Sequence, residues 1–181
     1  MKRREFLSSV SLVLAASPLT PSAHASDHVT SGGSSLDREQ WTCIEAIQDH
    51  LLPSEPGAPG SRDITATAYL DRALADPKFD PEVKEFIFNG IGWLQEIAGQ
   101  EEDRLFHLVE PDRREDLLQQ IARSEAGKRW LSTLVTYTLE ALLADPLYGG
   151  NPDGIGWKWL SHDPGRPRPT PDKLYGRLGR T

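Results

Sequence analysis

The sequence predicts an all-α fold, a single bundle of five or six helices followed by a long Gly/Pro-rich C-terminal coil. Between residues 36 and 144, apolar residues recur at spacings of three and four, the repeat of helices with one buried face. No stretch shows the alternation of β-branched and polar residues that is typical of a strand. Prolines and glycines divide the pattern into helix-length pieces. We therefore expect one helical domain over residues 36–144, with a Gly/Pro/Trp-rich loop and basic tail over residues 145–181.

The first two helices flank a loop rich in proline and glycine. The first helix is expected to begin after an N-cap at Ser34 or Ser35 and to end at Pro53. Prolines and glycines over residues 53–61 exclude both a helix and a central strand there. The second helix is expected over residues 63–74.

The later helices have clear start and stop signals. Asp80-Pro81-Glu82 offers an N-cap, a proline at the first helical position and an acid in the first turn, and Gly99 is the expected C-cap. A short helical turn is expected within residues 102–109. Glu110-Pro111-Asp112 opens another helix, and the last one spans residues 124–144.

The N-terminus carries the pattern of an export signal. Arg3 and Arg4 are adjacent and are followed by Phe6 and Leu7, and the apolar run continues to Ala16. This is the arrangement of a twin-arginine signal. The apolar run is about half of what is needed to span a bilayer, which indicates a cleaved signal. An ordinary secretory signal that happens to contain two arginines is the alternative.

The segment after the apolar run supports cleavage. Ala23-His24-Ala25 has the small residues of a cleavage site. We expect residues 1–25 to be the signal peptide and residues 26–35, which are rich in Ser and Gly, to be a flexible linker. The twin-arginine route carries proteins that have already folded, so the expected location is the periplasm.

The charge of the chain is acidic and uneven. Removing the three basic residues and one acidic residue of the signal from 20 basic and 27 acidic residues leaves 17 and 26, a net charge near −9. This balance argues against nucleic-acid binding. Residues 161–181 sum to +3, whereas residues 26–160 sum to −12. The basic tail could dock on an acidic partner or could simply be solvated.

The sequence offers no catalytic, cofactor-binding or metal-binding site. Cys43 is the only cysteine, which excludes an intramolecular disulfide, covalent haem attachment and a Cys₄ iron–sulfur site. The Gly-x-Gly pairs at 90–92 and 154–156 lack the strand and third glycine of a dinucleotide-binding turn. The histidines lack the spacing of helical metal ligands. His50, at a helix end, is interpreted as a favourable charge at the helix dipole.

The densest group of unusual residues lies at 145–159. Glycines beside large aromatic residues suit close backbone approach and anchoring at a protein interface. The alternative is a loop folded back onto its own bundle, with the tryptophans closing its end. The candidate interface residues are Tyr148, Gly149, Gly150, Asn151, Trp157 and Trp159.

Several blocks together resemble one family, the small subunit (subunit 3) of membrane-bound, flavin-dependent gluconate 2-dehydrogenases. These blocks are Leu51-Leu52-Pro53, Pro56-Gly57-Ala58, Tyr69-Leu70-Asp71, Asp145-Pro-Leu-Tyr-Gly-Gly-Asn151, Gly156-Trp157 and Pro164-Gly165.

The resemblance implies a division of labour among subunits. FAD would belong to a large dehydrogenase subunit and haem to a cytochrome c subunit, and this chain would hold no cofactor. It would carry the export signal, engage the twin-arginine translocase, and assist maturation of the flavin subunit, with membrane association through its partners. The alternatives are an independent periplasmic helical protein that binds a small ligand near Trp157 and Trp159, and an enzyme whose site the sequence does not reveal.

Overall fold

The computed structural model describes residues 36–173, and in this part of the chain it forms a helical bundle without a named strand. The predicted all-α class is therefore confirmed. The export-signal residues Arg3, Arg4, Phe6 and Leu7 lie outside the described residues. The α-helices are α1 (Arg38–Leu51), α2 (Ala66–Leu74), α3 (Pro81–Glu102), α4 (Pro111–Ile121), α5 (Glu125–Leu143) and α6 (Ile155–Leu160). Short 3₁₀ turns span Phe106–Leu108, Pro146–Tyr148 and Pro152–Gly154.

The main core lies where α1, α3, α4 and α5 meet. Trp130 of α5 is fully buried, and its indole N–H donates to the carbonyl oxygen of Ile87 on α3 at 3.1 Å. A Cβ at Gly90 would lie 2.2 Å from that indole, so the glycine lets the tryptophan lie directly on the α3 backbone. A glycine that weakens a helix by propensity is thus required here for packing.

The helix boundaries follow side-chain caps that differ in part from the expected ones. Asp37, not a serine, caps α1, in a reciprocal capping box with Gln40. The second helix starts at Ala66 rather than at residue 63, because the Asp63 carboxylate holds the preceding loop by accepting bonds from the Ser54 hydroxyl and the Gly60 N–H. The third helix passes Gly99 and continues to Glu102.

The stretch after α5 is more ordered than the expected coil. Two 3₁₀ turns and α6 occupy most of residues 146–160, and they cover a smaller buried cluster at the junction of α2 and α5. Periodicity could not predict these elements, since each is shorter than two helical turns or lacks a repeating apolar stripe. Residues 161–173 are coil with isolated turns. None of the helices in the described range combines the length and the apolar character that crossing a membrane requires.

Candidate partner-binding site

Asn151 fixes the path of the C-terminal segment, defined as residues 145–160. It is fully buried with a positive φ of 51°. Its amide nitrogen donates to Ala144 O at 3.0 Å, and its side-chain oxygen accepts from the Gly156 N–H at 2.7 Å. Its backbone N–H donates to Ile64 O at 2.9 Å. The side chain of Asn151 therefore connects the end of α5 to the start of α6. The backbone of Asn151 connects both to the loop that precedes α2.

Two glycines of the C-terminal segment permit close backbone contact with α5. A Cβ at Gly150 would lie 2.6 Å from Ala141 O, and one at Gly156 would lie 2.1 Å from Leu142 O. Both distances are shorter than any real Cβ contact, so a side chain at either position would force α5 and the segment apart. These glycines serve internal packing.

The two tryptophans of α6 occupy different environments. Trp157 is 7% exposed, and its indole N–H donates to Leu143 O at 2.8 Å. Trp159 is 39% exposed. Trp157, Gly150 and Asn151 pack against the protein's own bundle, in agreement with the alternative in which the loop folds back. Trp159 and the half-buried Tyr148 remain partly exposed to solvent.

Arg168 clamps the beginning of the basic tail to the domain. Its Nε donates to the Asp145 carboxylate at 2.9 Å, and its guanidinium lies 5.0 Å from the centre of the Trp157 ring. Burial opposes ionisation of Asp145, but the bonds from Arg168 and the Leu147 N–H outweigh it and hold the pKa of this carboxyl below its ordinary value. At least this basic residue of the tail has its acidic partner within the same chain.

An open groove of about 1160 Å³ lies beside the C-terminal half of α5. The end of α2, the connection over residues 75–80 and the turn at Tyr148 form its other sides. Leu139 and Leu143, 44% and 48% exposed, stand one helical turn apart on α5 within it. We call this feature the α5 groove. Of the candidate interface residues predicted from the sequence, only Tyr148 lines it.

Tyrosines and carboxylates border the apolar part of the α5 groove. The Tyr69 hydroxyl donates to Glu140 at 3.1 Å, and burial together with the Glu140 charge raises the pKa of Tyr69. Tyr137 packs against Phe79 with ring centres 5.8 Å apart, and burial followed by Glu140 raises its pKa as well. Both phenols therefore remain neutral and act as hydrogen-bonding groups on an amphipathic wall.

Over residues 36–173 the His, Cys, Asp and Glu side chains do not form a cluster suited to a metal ion. Burial raises the pKa of the Cys43 thiol to about 12. His50 lies in the last turn of α1, as the sequence predicts, and it also has a carboxylate partner. Its Nε2 lies 2.6 Å from the Glu115 carboxylate, which joins α1 to α4.

Sequence reasoning missed the α5 groove. The apolar repeat over residues 36–144 predicts buried helix faces and does not distinguish Leu139 and Leu143 from core positions. One signal was available. The apolar positions of α5 continue around the helix beyond the stripe that one packed face requires, which indicates a second contact surface.

The fold and the groove define a small helical domain with an exposed apolar surface, a feature that commonly marks protein contact. The family model described as gluconate 2-dehydrogenase subunit 3 matches residues 38–165. The chain belongs to this family. No curated protein and no solved structure matched the chain.

Proposed function

We propose that this chain is the non-catalytic small subunit of a periplasmic, flavin-dependent dehydrogenase complex that oxidises gluconate or a related sugar. It supplies the twin-arginine signal and assists maturation of the FAD-carrying large subunit, and a cytochrome c subunit receives the electrons. The family match over residues 38–165 supports the subunit role, because the family is described as subunit 3 of gluconate 2-dehydrogenase.

The surface of the domain supports a role in assembly. Leu139, Leu143, Trp159 and Leu160 are each more than a third exposed, near or within the last part of the fold. Full burial of an exposed apolar side chain is worth about 1.5–3 kcal/mol, so covering the remaining exposed part of each of these would contribute roughly half of that. A subunit recovers this free energy by covering them with its partner.

The export role is tested by changing Arg3 and Arg4 together to Lys in cells that also express the large subunit. The twin-arginine machinery reads the arginine pair, so the precursor is expected to stay in the cytoplasm and to strand the flavin subunit with it. Fractionation and dye-linked gluconate dehydrogenase activity measure this result. Lys2→Arg, which leaves the pair intact, is the matched control. Normal periplasmic activity from the double variant would overturn the export role.

A cavity beside α6 is large enough to test the alternative function, the binding of a small ligand. This cavity, of about 750 Å³, is lined by Trp157, Lys158, His162 and Arg168 among others. An independent binding protein would show saturable quenching of tryptophan fluorescence when gluconate or glucose is titrated into the isolated chain. A subunit without a ligand of its own would show none and would co-purify with a yellow flavoprotein.

A further inference from the structure

We propose that the α5 groove binds an amphipathic helix of the flavin-carrying large subunit, one whose inner face is apolar and whose flanks carry Lys or Arg. This inference rests on the proposed function and adds the place and chemistry of the contact. Its starting point is the exposure of Leu139 and Leu143, which share one face of α5 and line the same cavity. The rest of the described chain leaves each of these residues nearly half exposed.

The dimensions of the α5 groove suit a short helix. Along α5 the groove extends from Thr136 to Leu143, which corresponds to about 12 Å of helix axis. It then continues past the end of α5 to Asp145 and Tyr148. A partner helix of two to three turns would lay its apolar residues, spaced three and four apart, along this length.

The backbone of the groove favours a helix over an extended strand. A strand is recognised by adding it to a sheet edge, where unpaired backbone groups give most of the affinity. The described residues contain an isolated bridge between Glu55 and Ala58 but no named strand, and this bridge is not among the groove residues. The α5 backbone is bonded within its own helix. Binding there depends on side chains, as in helix-in-groove recognition.

The charges around the groove favour a partner helix with basic residues on either side of its apolar face. Four carboxylates and two cations line the groove. Arg72 is bound to the Leu147 carbonyl oxygen at 2.8 Å, and Asp145 is paired with Arg168 at 2.9 Å. Residues 26–160 as a whole sum to −12. An acidic rim steers and orients a partner with basic flanks. The six charged residues are Asp76, Asp80, Glu140 and Asp145, with Arg72 and Lys78.

The first experiment removes the apolar anchors in the full chain co-expressed with the large subunit. Leu139→Asp and Leu143→Asp are each expected to weaken binding to the flavin subunit by about tenfold or more, measured as Kd by biolayer interferometry. Leu108→Asp is the matched control, since Leu108 is 57% exposed on the turn before α4 and does not line the groove. Circular dichroism and thermal unfolding verify that all three variants fold.

The second experiment tests the charge of the rim. Glu140→Lys is expected to raise Kd and to reduce its dependence on salt concentration, because it removes one attraction to a basic flank. Glu101→Lys, an exposed change on α3 outside the groove, has the same charge difference and is expected to leave Kd within about twofold. Equal effects of the two variants would contradict a specific electrostatic contact.

The third experiment identifies the occupant by photocrosslinking from Leu143→p-benzoylphenylalanine. The expected product joins this position to a large-subunit segment with apolar residues three and four apart and flanking Lys or Arg. Crosslinks confined to residues 174–181 of the same chain, to a second copy or to an acidic segment would overturn the proposal. If the native chain binds the flavin subunit and both groove variants bind as tightly as Leu108→Asp, the groove proposal fails while the proposed function stands. If the native chain does not bind it at all, both fail.

Discussion

The inner and outer sides of the C-terminal segment contain similar residues, but the inner residues pack against α5 and the outer residues are partly exposed to solvent. On the inner side, Asn151, Gly156 and Trp157 lie against α5, and the tryptophan is 7% exposed. On the outer side, Trp159 is 39% exposed and Tyr148 lines the α5 groove. The type of side chain therefore does not determine which aromatic residue packs inward. The path of the backbone determines it.

The helical conformation of α6 explains the contrast between the two tryptophans. Positions two apart on an α-helix differ by about 200° around its axis, whereas positions two apart on a strand share a face. In the helix of residues 155–160, Trp157 and Trp159 must therefore point in opposite directions. A coil or strand would allow both to serve one interface, and a helix allows only one.

The largest expected effect comes from removing the inner tryptophan. Trp157→Ala should destabilise the domain by about 3–5 kcal/mol, because it leaves a cavity and an unpaired carbonyl at Leu143. Trp159→Ala should cost less, about 1–2 kcal/mol, since 39% of that residue is already in contact with water. Urea unfolding of both variants measures the difference. If the two variants lost the same free energy of unfolding, the distinction between a packed inner tryptophan and an exposed outer one would be wrong.

A smaller effect is expected from a methyl group at the contact between α6 and α5. Gly156→Ala should destabilise by about 1–3 kcal/mol, because its Cβ would overlap the Leu142 carbonyl oxygen. Gly92→Ala is the matched control on α3, where a Cβ meets nothing within 4 Å. There the alanine should stabilise by about 0.5–1 kcal/mol through helix propensity. A stable Gly156→Ala variant would show that the two backbones can separate without cost.

The smallest effect is expected from the clamp between Arg168 and Asp145. A carboxyl whose pKa is lowered on folding contributes stability above its unfolded pKa, and this contribution is lost as pH falls through the folded pKa. Arg168→Ala should therefore lower Tm slightly between pH 5 and 7, with the difference from the native chain shrinking below about pH 4. Arg166→Ala, two positions away on the exposed tail, provides the comparison. A Tm difference that persists unchanged at low pH would assign the effect of Arg168 to its contact with Trp157.

The helices of the bundle could be predicted because their signals are local. Asp80-Pro81 starts α3 as predicted, and the last helix, predicted over residues 124–144, spans Glu125–Leu143. The need for Gly90 in α3 is not local, because it comes from contact with Trp130, 40 positions away. The same limit applies to the site. Asn151 bonds to Ile64 across the domain, and no local pattern predicts that partner.

The α5 groove could not be predicted for a related reason. Periodicity identifies apolar positions on a helix but does not tell how many faces the rest of the chain will cover. Leu142 is buried against the C-terminal segment while Leu143, its neighbour, remains 48% exposed. The difference depends on where the segment after α5 turns, and Asn151 and the glycines set that turn through tertiary contacts.

The burial of Cys43 gives the chain a natural reporter of its own unfolding. The thiolate is the form that reacts with alkylating agents, and this thiol is fully buried in α1 with a pKa raised to about 12. Alkylation of Cys43 therefore requires the bundle to open. The rate of alkylation reports how often this opening occurs. Because Cys43 is the only cysteine in the sequence, the alkylation rate reports on one defined position in the core.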